Sequence, residues 1–162
     1  MYMKSKRENE VRKKSLRYDA KEIKLAVKLI KELEDTVDVV YYLMEHEDVE
    51  SFVLMMISAK NVSLENILKS EKRDTDILFE IDKKKSIYVM LCQDTKVDGG
   101  YMFAERVIRT AVQENGTDIY CTELEVRSTQ HKIKNVIFKL LESFIKAKQE
   151  KKTNEIVYRS LN

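Results

Sequence analysis

Between residues 19 and 44, apolar side chains recur every three or four positions: Ile23, Val27, Ile30, Leu33, Val37, Val40 and Met44. That spacing predicts one helix of about seven turns with a single apolar stripe. Asp19, with Glu22 three residues on, gives its start a capping-box pattern. Residues 37–44 are rich in β-branched and aromatic types, which leaves room for a break or a strand there. Packing on its own domain is the simpler fate of such a helix. Half of a dimer seam is the other.

The pattern then changes. Residues 52–57, Phe-Val-Leu-Met-Met-Ile, are wholly apolar and bounded by polar residues, as a buried central strand requires. Leu64, Ile67 and Leu68 mark a short helix within 62–70. Apolar runs at 77–81 and 87–92 flank the polar turn Asp82-Lys83-Lys84-Lys85-Ser86, which predicts an antiparallel hairpin. Met102, Phe103, Val107, Ile108 and Ala111 give a helix over 97–112, stopped by Asn115-Gly116. Residues 119–126 alternate as a strand with one slip, which suggests a bulge. An amphipathic helix over 130–149 and a short strand over 155–158 complete the chain. The fold class is α+β: a mixed or antiparallel, palm-like sheet with flanking helices, preceded by the long helix. Three segments follow: a basic flexible stretch (1–18), the N-terminal helix (19–47) and the sheet domain (48–162).

Composition narrows the functional classes. The 162 residues are 43% hydrophobic and 36% charged, with a net charge of only +2. That balance gives no case for nucleic acid as a partner. Lys4, Lys6, Arg7, Arg12, Lys13, Lys14 and Arg17 form the one local excess. It reads first as a solvated terminus, and otherwise as contact with an acidic partner or an anionic surface. Cys92 and Cys121 sit in apolar runs and read as buried free thiols. His46 and His131 are isolated, so no metal-ligand spacing is present. No apolar run approaches a membrane span, and no secretory signal pattern opens the chain, so a cytoplasmic setting is expected.

The hairpin region carries a resemblance. Arg73-Asp74-Thr75-Asp76 leads into 77–81; after the turn come 87–92 and Gln93-Asp94-Thr95, then Gly99-Gly100 and Ala104-Glu105-Arg106. In this order and at these intervals the pieces resemble the GGDEF family of diguanylate cyclase domains. Element order matches over roughly 50–160, and the specific match is confined to 73–109. In the family the hairpin turn holds the GGDEF residues, which contact the guanine nucleotide and supply a metal carboxylate. Here that turn is Asp82-Lys83-Lys84-Lys85-Ser86 and about two residues longer. Where the family ends its first strand with a metal-binding aspartate and places a second two residues later, the matching positions are Ser58 and Lys60.

Joining two nucleoside triphosphates needs Mg²⁺ held by hard oxygen ligands. Ser58, Lys60 and three lysines do not supply them. The chain is therefore expected to be no enzyme and to need no Mg²⁺ or other cofactor. Many family members also bind product at an R-x-x-D motif with a second arginine from the following helix. Residue by residue, the resemblance carries that site onto Arg73, Asp76 and Arg106. An arginine fork can donate to guanine N7 and O6, and a carboxylate can accept from N1–H and the N2 amine. The expected ligand is an intercalated pair of molecules of the bacterial second messenger cyclic di-GMP. Taken singly, Arg73 and Asp76 read as a charged lead-in to a strand, and Arg106 as a solvated helix face. The reading carried forward is a signal-transduction receptor, a degenerate GGDEF domain that binds cyclic di-GMP and acts on an unidentified effector protein. Its alternative is a scaffold domain that keeps the fold and binds no nucleotide.

Overall fold

The computed structural model describes residues 17–162. All of the early basic cluster except Arg17 lies outside them. Helix α1 spans Ala20–His46 and opens on the expected capping box: the Asp19 carboxylate accepts from the Glu22 N–H, and the Glu22 carboxylate from the Asp19 N–H, both at 2.8 Å. The helix continues unbroken through 37–44. Val37, Val40 and Tyr41 are buried there, and the Tyr41 hydroxyl donates to the His131 carbonyl at 2.7 Å. Burying such side chains gains roughly 1.5–3 kcal/mol each, well above the few tenths that β-branching costs a helix.

The buried row is not quite the predicted stripe. Ala26, Leu29, Leu33, Val37 and Val40 face the core, whereas Ile23 and Val27 are 52% and 64% exposed. The first turns are rotated so that these two lie on the flank of the contact row.

Eight further elements follow. They are β1 (Phe52–Lys60), α2 (Leu64–Glu71), β2 (Asp76–Asp82), β3 (Ile87–Gln93), α3 (Val97–Gln113), β4 (Thr117–Val126), α4 (Ile133–Gln149) and β5 (Ile156–Leu161). The strands form one sheet in the order β2-β3-β1-β4-β5. Four strands pair antiparallel, and β5 joins β4 in parallel after the α4 crossover, so the sheet is mixed. Helices α1 and α4 cover one face and α2 and α3 the other. Strand β1 is central and serves both: Phe52, Leu54 and Met56 point to the α1/α4 core, Val53, Met55 and Ile57 to the α2/α3 core. Its unbroken apolar run is the signature of a strand covered on both faces.

The slip in β4 has a different cause from the bulge expected. Both faces of β4 are covered, and Thr122, Glu123 and Glu125 are polar residues buried within it. The register shift against β1 falls earlier, between the partners of Ser58 and Lys60, where Asp118 adopts φ 49°.

Candidate functional site

The R-x-x-D stretch forms the turn between α2 and β2. Lys72 ends α2, and the Asp76 N–H donates to the Arg73 carbonyl at 3.0 Å. The three-residue spacing lets the Asp76 carboxylate reach back to Arg73. It accepts from the Arg73 backbone N–H (2.8 Å), from Nε (3.2 and 3.3 Å) and from Nη2 (2.9 Å). Nη2 also donates to the Thr95 hydroxyl (2.7 Å) and the Gln93 carbonyl (3.1 Å). Asp76's hydrogen bond raises the Arg73 guanidinium above its already high range. The pair is asymmetric: the Asp76 side chain is 1% exposed and that of Arg73 54%. Asp76 is thus committed to fixing Arg73, a different task from accepting directly from a guanine edge. Arg73 keeps its guanidinium face and Nη1 amine outside this network.

Arg106 comes from the third turn of α3. It lies over Phe103, its Cζ 5.5 Å from the ring centroid, and its Nε makes one long contact, 3.4 Å, to Glu71. Arg73, Asp76 and Arg106 line one hollow of about 230 Å³, with Thr95, Met102 and Phe103 among its walls. The three predicted residues therefore meet in space. One arginine is locked by a buried carboxylate, and the other is loosely held.

Thr95 and Glu71 were not singled out from the sequence. Thr95 lay within the resemblance, but only the fold shows its hydroxyl under Arg73. It is anchored in turn by Ser51, whose hydroxyl donates to the Thr95 carbonyl at 2.8 Å. Glu71 carried no sequence signal. Nor did Glu123, which lies beneath α3 and is 1% exposed. Neither of its carboxylate oxygens has a partner among the described residues, and burial pushes its pKa up to about 8. One oxygen sits so near Gly100 that a Cβ there would meet it at 3.0 Å, so glycine lets α3 approach the sheet. Glu125, on the same face of β4, accepts from the Val97 N–H at 2.7 Å and holds the start of α3.

The positions matched to the family's metal carboxylates lie at the other end of the strands. Ser58 pairs with Ile87, which brings the end of β1 beside the hairpin turn. Ser58 is 5% exposed, and the Lys60 ammonium lies 3.5 Å from Asp118. The Asp82 carboxylate accepts from the Lys85 N–H at 3.0 Å. A buried hydroxyl, an ammonium and a lysine-rich turn do not fit a Mg²⁺ site.

No family model matches the chain. No curated protein matches it either. Among solved structures, the chain is similar to a diguanylate cyclase/phosphodiesterase from Caldicellulosiruptor saccharolyticus, at 12% identity and a TM-score of 0.51, over 79% of this chain and 87% of that one. At this identity the likeness establishes the architecture: the chain has the α+β fold of that protein, in agreement with the GGDEF-like element order in its sequence.

Proposed function

We propose that the chain is a receptor for cyclic di-GMP that has no cyclase activity. The observation carrying this reading is the convergence of Arg73 and Arg106 on one hollow, with Asp76 buried beneath Arg73. Burial of Asp76 ties the network into the fold, and the half-exposed Arg73 that it fixes is left facing the same hollow as Arg106. The free guanidinium face of Arg73 suits stacking on a purine, and its Nη1 amine suits a phosphate. Arg106, held by one long contact, can turn its fork to guanine N7 and O6. Asp76 then acts as a positioning residue. The effector is a separate protein reached through the domain surface.

Absence of cyclase activity rests on the chemistry of the other strand end. With Ser58 and Lys60 in place of aspartates, and Asp82 the one carboxylate of a lysine-rich turn, several kcal/mol of metal-borne transition-state stabilisation are missing.

Calorimetric titration of cyclic di-GMP tests the binding half. Wild type is expected to bind, and Arg73→Ala to bind about 10- to 100-fold more weakly. No heat from wild type at micromolar protein leaves the scaffold reading standing. Incubation with GTP and Mg²⁺ tests the other half, and robust turnover would overturn it.

A further inference from the structure

The proposed receptor site leaves one charged region unused. Where α1 begins, the hairpin tip and the end of α4 converge on a groove of about 400 Å³, lined by five lysines, among them Lys24, Lys28, Lys85 and Lys148, and by three carboxylates, Asp19, Glu22 and Asp82. Lys83 and Lys84 stand exposed on the same hairpin tip. Among the described residues, Lys24, Lys28, Lys83, Lys84, Lys85 and Lys148 make no ion pair. With exposed Lys83 and Lys84 counted, seven lysines meet three carboxylates at this end, an excess of four in a chain whose net charge is only +2. The positive field has a local effect. Lys148 is lowered below the ordinary lysine range, first by burial and then by Lys85 and Lys60. In sequence, seven cations and two carboxylates within residues 4–17 precede Asp19, a residue of this groove.

We infer that this lysine end is a docking surface for an anionic phospholipid membrane. Two observations favour lipid over nucleic acid. The cations lining the groove are all lysines, point charges suited to a diffuse anionic surface; they outnumber its three carboxylates, and no arginine fork that could read a base is among them. Exposed Ile23 and Val27 also sit on the first turns of α1, each next in sequence to a patch lysine, where they can enter the headgroup layer. The helix needs no transmembrane span for this, and among the described residues no helix is long and apolar enough to cross a membrane. This surface lies at the opposite end of β2 and β3 from Arg73 and does not depend on cyclic di-GMP.

The test is co-sedimentation of the full chain with vesicles of 70% phosphatidylcholine and 30% phosphatidylglycerol, about 0.1 M salt, against pure phosphatidylcholine. Binding is expected to the anionic vesicles and to fall steeply with salt. Each lysine near the surface contributes about fivefold, so Lys24→Glu/Lys85→Glu is expected to weaken partition at least ~25-fold. Lys96→Glu/Lys134→Glu makes the same change in net charge at the far end and is expected to leave partition nearly intact. Ile23→Ser/Val27→Ser is expected to weaken it with little change in salt dependence. The inference is overturned if wild type ignores anionic vesicles, if both charge-reversed pairs lose binding equally, or if a 30-base-pair duplex binds more tightly than the vesicles.

Discussion

The two ends of the β2–β3 hairpin differ in how they hold their cations. At the open end, Arg73 is fixed by a buried carboxylate, a hydroxyl and a carbonyl, and it faces a second arginine across a hollow. At the turn, Asp82 holds only the Lys85 backbone N–H, and three lysine side chains project without an ion pair among the described residues, beside a strand that ends in Ser58 and Lys60. Positive charge alone does not make a nucleotide site. A site needs cations whose geometry is set before the ligand arrives, because ordering them afterwards subtracts from affinity. The first end meets that condition, and the second offers only a diffuse field.

Substitution of Asp76 gives the largest effect expected from this contrast. Asp76→Ala removes an acceptor for the Arg73 N–H and guanidinium, and should destabilise the domain by about 2–4 kcal/mol in chemical denaturation. It should also weaken cyclic di-GMP binding at least tenfold in a variant that remains folded. Unchanged binding there would show that the lock on Arg73 is irrelevant to the ligand.

Glu123 sharpens the contrast through pH. Its folded pKa, about 8, lies above the ordinary glutamate value of 4.5, so the folded state keeps a proton that the unfolded state releases. Stability should therefore fall as pH rises from about 4.5 to 8, and level off above that. Glu123→Gln should flatten this slope, gaining on the order of 2–3 kcal/mol over wild type near pH 7 and little at pH 4. Thermal or urea melts at the two pH values read it directly. An unchanged slope would mean that Glu123 ionises freely in the fold.

Thr95→Val should cost about 1 kcal/mol and a few-fold in ligand affinity, since it removes only the hydroxyl under Arg73. The smallest effect belongs to the turn. Replacing Lys83, Lys84 and Lys85 together by alanine should change stability by less than about 0.5 kcal/mol and leave cyclic di-GMP binding intact. A large loss of binding would move the site to the wrong end of the hairpin.

The element order was legible because each element carries its own periodicity: the 52–57 run, the hairpin, and the helices with their Asn115-Gly116 and Asp19–Glu22 punctuation. Part of the α1 stripe was misassigned, because Ile23 and Val27 look identical to core residues until the helix is rotated onto the sheet. The β4 slip misled for a related reason. Periodicity assumes that buried positions are apolar, and Glu123 and Glu125 break that assumption beneath α3. At the site, Arg73, Asp76 and Arg106 were readable as a spaced motif. That Asp76 is turned inward, and that Thr95 and Glu71 complete the setting, depends on contacts across 20 to 35 residues of chain. Local sequence holds no record of them.

The most direct test is a crystal structure of the chain grown with cyclic di-GMP. A purine is predicted against the guanidinium face of Arg73, with the Arg106 fork on its N7 and O6 edge and the Arg73–Asp76 contacts kept. Ligand density at the Ser58–Lys60 end, or a broken Arg73–Asp76 lock, would contradict it.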